Sequence, residues 1–203
     1  MPPYSSNPFQ GAEPAHVAID IYTSAYRISG TTNTRFTRIA DLLNQVASDH
    51  LMVDHATVST YDDPTGTQGA PQLFVALDAI LFASAALSGE ARPEMRIVKR
   101  SVRVQLGGPP FRLTGLIHVP TGGRPADGLL NATERFLVMT EVQVNAAAHP
   151  ELDRRLPAIA VARNRVHLFL VADDAPADEM LASVLDEQTA EAWLSPTPPQ
   201  EPA

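Results

Sequence analysis

Tyr26-Arg27-Ile28-Ser29-Gly30 and, further along, Phe111-Arg112-Leu113-Thr114-Gly115 are the same phrase written twice. An aromatic, an arginine, an aliphatic residue, a hydroxyl-bearing or aliphatic-flanked position and a glycine recur 85 residues apart. The stretch that follows also recurs. Arg38-Ile39-Ala40-Asp41-Leu42-Leu43-Asn44 returns as Arg124-Pro125-Ala126-Asp127-Gly128-Leu129-Leu130-Asn131, offset by 86 at the aspartates and 87 at the asparagines. Pro71 through Ala83 then lies over Pro157 through Phe169 without a gap. An offset that slips by only one residue at a time is the signature of an internal duplication.

The pattern inside each copy is that of short strands. Ile19 and Ile21 share a face, as do Tyr26 and Ile28, and in the second copy Phe111, Leu113, Ile117 and Val119 line one face around Gly115. A glycine inside a strand marks a bend, a bulge or a close backbone approach. Arg38 to Asn44 reads as one or two helical turns with Leu42 and Leu43 inward, Leu51 to Thr60 as a strand, and Leu73 to Ala83 as a hairpin turning at Asp78-Ala79, with Asn164 in place of Asp78 in the second copy. The expected fold is mainly β. It consists of two tandem small β-barrel or sandwich modules, β-β-α-β-β-β each, plus a C-terminal amphipathic helix. The expected boundaries are a disordered arm over 1–15, the first module over 16–85, a linker over 86–100, the second module over 101–172, the helix over 173–195 and a tail over 196–203. In that helix Leu181, Val184, Leu185 and Trp193 form an apolar stripe that would face a partner or the modules.

Composition narrows the function. The 203 residues contain no cysteine, which excludes disulfides, thiolate metal sites and cysteine nucleophiles. No apolar run approaches the roughly 18–20 residues of a membrane helix, and the first residues lack the basic and apolar segments of a secretory signal. A cytoplasmic protein is expected. The net charge of −8 is unevenly divided. Residues 1–90 carry −6, residues 91–170 carry +6, and residues 171–203 carry −8. Such asymmetry bears on partners: acidic and basic segments attract one another, within a chain or between chains.

The sharpest polar signal is the repeated set Arg38, Asp41, Asn44 and Arg124, Asp127, Asn131. Guanidinium and carboxylate could clamp a ligand. Retention in both copies favours a structural role instead, as a local salt bridge or helix cap. Arg27 and Arg112 are placed to pair with cross-strand acids. Arg92, Arg96, Lys99, Arg100 and Arg103 form the densest basic stretch, and on a helix 92, 96, 99 and 103 would share a face able to bind phosphates. The alternative is a solvated face or a dock for the acidic tail. The histidines do not recur between copies, and Asp49-His50 with Asp54-His55 on a strand would lie about 13 Å apart, too far for one metal. Nucleophile elbows, phosphate-binding loops and dinucleotide fingerprints are missing. No catalytic, cofactor-binding or metal residue is assigned.

The repeated motifs, an aromatic or Tyr-Arg-Ile-x-Gly strand followed by Arg-x-x-Asp-x-Leu-Asn and a strand running into a turn, resemble an uncharacterised bacterial small β-domain family of unknown function. The resemblance covers roughly residues 17–84 and 101–172, and it implies a tandem duplication of that fold unit. The strand order is also similar to that of small Sm-like barrels, which bears on fold alone. The function expected is that of a non-enzymatic interaction or assembly protein that binds a protein partner or itself. The alternative is an anion- or nucleic-acid-binding module that uses the basic second copy and is regulated by the acidic tail.

Overall fold

The alternating apolar pattern produces strands along most of residues 14–86, 99–120 and 133–171, the residues that the computed structural model describes. The elements are β1 (Ala15–Tyr22), β2 (Tyr26–Thr34), α1 (Ile39–Gln45), β3 (His50–Thr60), β4 (Gln68–Ala76), β5 (Phe82–Ala85), β6 (Lys99–Gly108), β7 (Phe111–Pro120), β8 (Phe136–Asn145), β9 (Arg154–Ala162) and β10 (Leu168–Val171). Most of the expected arm and linker, the segment holding Arg124, Asp127 and Asn131, and the expected C-terminal helix lie outside the described residues. No described helix is long and apolar enough to cross a membrane.

The fold is mainly β, and its strands join in one antiparallel sheet of ten strands, in the order β10-β6-β7-β8-β9-β5-β1-β2-β3-β4. This differs from the expected pair of separate modules. The sheet is continuous because β5 pairs with β1 on one side and β9 on the other. The expected hairpin over 73–83 is also corrected. β4 pairs with β3, whereas β5 pairs with β1 and β9. Between them runs a 3-10 turn, Leu77–Ala79. Leu77 and Ile80 are buried, so the link passes through the core, and apolar burial prevails over a tight two-residue turn.

Gly30 and Gly115 shape the sheet. Pairing of β2 with β3 runs Ser29↔Thr57 and then Thr31↔Asp54, so β3 carries one extra residue opposite Gly30. β7 and β8 do the same, with Thr114↔Gln143 and then Leu116↔Thr140. The extra residue accompanies a left-handed backbone at His55 (φ 50°) and Glu141 (φ 52°). Such bulges bend the strand and increase its twist. A Cβ on Gly30 would sit 2.5 Å from Val53 Cγ1 and 2.8 Å from the Asp54 carbonyl oxygen, and one on Gly115 would sit 2.7 Å from the Thr140 carbonyl oxygen. Only glycine allows this approach.

α1 forms because Ile39, Leu42 and Leu43 recur at helical spacing, and all three are buried. Arg38 and Val46, extended on either side, bound it. The apolar residues divide into two cores. One gathers α1, Ile19, Ile21, Ile28, Leu51 and Val53. The other gathers Val102, Val104, Leu106, Leu113, Ile117, Met139 and Ile159. Thr32 and Thr34 stand where the second copy has Ile117 and Val119. Both are buried, and their hydroxyls are satisfied: Thr32 donates to the Met52 carbonyl, and Thr34 accepts from the Phe36 N–H.

Gly30→Ala or Gly115→Ala should destabilise the chain by about 1–3 kcal/mol through overpacking, while Gly69→Ala, with no atom within 4 Å of its added Cβ, should change stability little. Leu43→Ala should cost about 2–5 kcal/mol. Urea unfolding of the four variants checks both statements, and equal costs at Gly30 and Gly69 would contradict the steric reading of the bulge.

Candidate functional site

The place where β5 meets β9 draws contacts from both halves of the described sheet. Two residue pairs form the ladder, Phe82↔Val161 and Ala83↔Ala160, and the Ala162 N–H donates to the Leu81 carbonyl at 2.9 Å. Successive side chains on a strand point to opposite faces. Phe82 and Val161 therefore enter the core built on β6–β9, and Ala83 and Ala160 enter the core built on β1–β4. Each core is completed by residues from the other end of the chain.

Further contacts reinforce this junction. Asn44 at the end of α1 reads the backbone of Phe136 as a strand would. Its Nδ2 donates to the Phe136 carbonyl and its Oδ1 accepts from the Phe136 N–H, both at 2.9 Å. Arg135 pairs with Asp78 in the 3-10 turn. Tyr22 stacks on Phe82 with ring centroids 4.4 Å apart, and Phe111 meets Tyr22, Phe82 and Tyr61 edge-on. Arg154 Nη1 donates to the Tyr22 hydroxyl at 2.7 Å. Burial raises the Tyr22 pKa above its ordinary value, against the opposing pull of Arg154 and Arg27. The Tyr61 hydroxyl donates toward the Thr23 and Tyr26 carbonyls, and burial raises its pKa as well.

At the ends of the sheet lie β4 and β10. Among the described residues each has one neighbour, β3 and β6 respectively. Their sequences, Gln68-Gly-Ala-Pro-Gln-Leu-Phe-Val-Ala76 and Leu168-Phe-Leu-Val171, contain no charged residue. Phe74 is 61% exposed and Leu168 is 64% exposed, and Leu170, Val171 and the neighbouring Met52 are exposed too. Sheet edges of this kind are templates for further pairing unless charge, proline or a covering segment blunts them. Among the described residues Pro71 is the one such device, and it leaves the strand C-terminal to it without one.

The residues singled out from sequence fall in several places. Asn44 is the one that acts across the junction. Arg38 and Asp41 are exposed at the start of α1. Among the described residues they form no ion pair with each other, and Arg38 makes no side-chain cap bond. Arg27 pairs with Asp20 across β1 and β2 at 3.1 Å, as the cross-strand reading expects. Lys99, Arg100 and Arg103 lie on a strand and not on a helix, because Val102, Val104 and Leu106 recur at every second position and enter the core. Arg92, Arg96, Arg124, Asp127, Asn131, Leu181, Val184, Leu185 and Trp193 lie outside the described residues.

Two polar groupings were not legible beforehand. A depression of about 430 Å³ crosses β6 to β9 over the Glu141 bulge, with Arg103, Arg155, Gln143 and Thr114 among its walls. Arg155 Nε donates to Gln143 Oε1 at 3.0 Å. On the same strands His118 Nδ1 lies 3.2 Å from Ser101 Oγ, and His118 Nε2 lies 2.9 Å from Thr140 Oγ1. Desolvation first, and then the Lys99 ammonium, lowers the His118 pKa below its usual 6.5, while Glu141 opposes the shift. The bonded partners are 12, 17 and 22 positions apart in sequence, so only strand pairing brings them together. The contacts hold His118 across three strands.

No known protein family, no curated protein and no solved structure matches this chain.

Asn44→Ala should cost about 1–3 kcal/mol, because it strands the Phe136 N–H and carbonyl, whereas Asp78→Ala should cost less than about 1 kcal/mol, since the aspartate side chain is mostly in water. Thermal unfolding distinguishes the two. A histidine with a depressed folded pKa resists protonation in the fold. The His118 contribution is therefore present above the unfolded value near 6.5 and is lost as pH falls through the folded pKa. His118→Gln should reduce the fall in stability below pH 6.5, measured as urea midpoints against pH.

Proposed function

We propose that this chain is a non-enzymatic assembly protein, built from a duplicated β-module and working in the cytoplasm, that binds a protein partner or itself. The observation that carries the reading is the pair of uncharged sheet edges, β4 and β10, with Phe74 and Leu168 exposed upon them. What supports the duplication is the agreement of strand order and register. β5-β1-β2-β3-β4 and β10-β6-β7-β8-β9 list neighbours in the same sequence, and the glycine-and-bulge pair recurs in each. The likeness to an uncharacterised bacterial β-domain family belongs to the same proposal, as does a C-terminal helix over 173–195, which rests on apolar spacing alone.

A second reading has its own observation. Arg103 and Arg155 wall the depression on β6–β9 and Lys99 and Arg100 are exposed nearby in sequence, so an anion or a nucleic-acid phosphate could bind this half, with the acidic residues after 171 as competitor.

Isolation of the chain from its native extract at low and at high salt tests both readings. The assembly reading expects a defined complex of protein alone that persists as salt rises. A complex containing nucleic acid that dissolves with salt would favour the second reading. Single chains with nothing bound would count against both.

A further inference from the structure

The junction between β5 and β9 is a template for what the two free edges can do. β10 stands in its run where β5 stands, and β4 stands where β9 stands. The correspondence holds residue by residue. Phe82 faces Tyr22 on β1, and Leu168 faces Gly107 on β6. The Leu81 N–H donates to the Tyr22 carbonyl at 2.8 Å, and the His167 N–H donates to the Gly107 carbonyl at 2.8 Å. Phe82 thus corresponds to Leu168, Ala83 to Phe169, Ala160 to Phe74 and Val161 to Val75.

We propose that β10 of one chain pairs antiparallel with β4 of a second copy, with Leu168 opposite Val75 and Phe169 opposite Phe74, in the register of the internal junction. The inference rests on the assembly reading above and names its partner. Two observations carry it. The first is burial. In the internal junction Phe82 and Ala160 are the side chains that enter the opposite core, and both are fully buried. Their counterparts Leu168 and Phe74 are the most exposed large apolar side chains in the described structure. The proposed pairing buries both in the same manner. The second is that neither edge carries a charged residue to repel a strand, and that Pro71, like Pro157 on β9, lies clear of the two positions that would pair.

The external contact lacks some of the internal reinforcement. The positions equivalent to Arg135 and Asp78 are Asp49 and Asn164, which form no ion pair of that kind. It should therefore be the weaker of the two. Because the two edges differ, the contact is heterologous and repeats until the chains close on one another.

The test uses full-length chains and light scattering over a range of concentrations. The unaltered protein should form species of two or more chains. Phe74→Lys and Leu168→Lys should each leave single chains, while Val138→Lys, at an exposed site on an interior strand, should still assemble. Each of the first two variants keeps one edge intact. Mixed in equal amounts, they should form a one-to-one pair and nothing larger. An unaltered chain that stays single throughout overturns the proposal, whether its edges are covered by its own tail or by another protein. Association of Leu168→Lys alone, or failure of the mixture to pair, overturns it as well. Recovery of the native chain bound only to a different protein would sink this inference and leave the assembly reading standing. Recovery of single chains with nothing bound would sink both.

Discussion

The close approach of Gly30 and Gly115 to the bulged strands beside them is the constraint on which the rest of the molecule depends. A flat five-strand ribbon would have two open faces and little interior. With an extra residue on β3 and β8 and no side chain on the glycines, the strands can bend at the middle and enclose an apolar interior. The left-handed backbone at His55 and Glu141 is the local cost of that bend. The fold tolerates it because the bend lets Ile28 and Val53 in one run, and Leu113 and Met139 in the other, enter a core.

Bending alone leaves each core incomplete. Phe82 from β5 fills the interior of the β6–β9 run, and Ala160, Ala162 and Phe136 close the interior of the β1–β4 run. The two interiors are therefore coupled. Tyr22 illustrates how closely: its ring stacks on Phe82, meets Phe111 edge-on and receives a hydrogen bond from Arg154 at its hydroxyl. Loss of one interior removes packing atoms from the other, so the described strands should behave as one cooperative unit.

Much of this was legible in the sequence, and the remainder was hidden for physical reasons. The glycines announced close approach, and a Cβ at either would collide with the neighbouring strand. Leu42 and Leu43 announced the inward face of α1 and are buried there. The hairpin reading of 73–83 failed because turn chemistry at Asp78-Ala79 indicates a reversal and not which strands lie on either side of it. The pairing of β5 with β9 was invisible because it joins residues about eighty positions apart, and apolar side chains such as Phe82 and Val161 do not show which strand they will meet. Asn44 was singled out by repetition, but its bonds to the backbone of Phe136 leave no mark on the sequence of the partner segment. His118 and the arginines of the β6–β9 depression converge only through strand register.

The same chain that carries β5 also carries β9, and this has a consequence for when that contact exists. Tethered strands meet at an effective concentration of order millimolar, set by the intervening chain and independent of how much protein is present. Pairing of β5 with β9 is thus unimolecular and insensitive to dilution. An edge that must find its complement on another molecule has no such advantage and follows the amount of protein in solution. Covalent continuity turns one mode of strand pairing into a permanent joint within the molecule and leaves any use of it between molecules responsive to abundance.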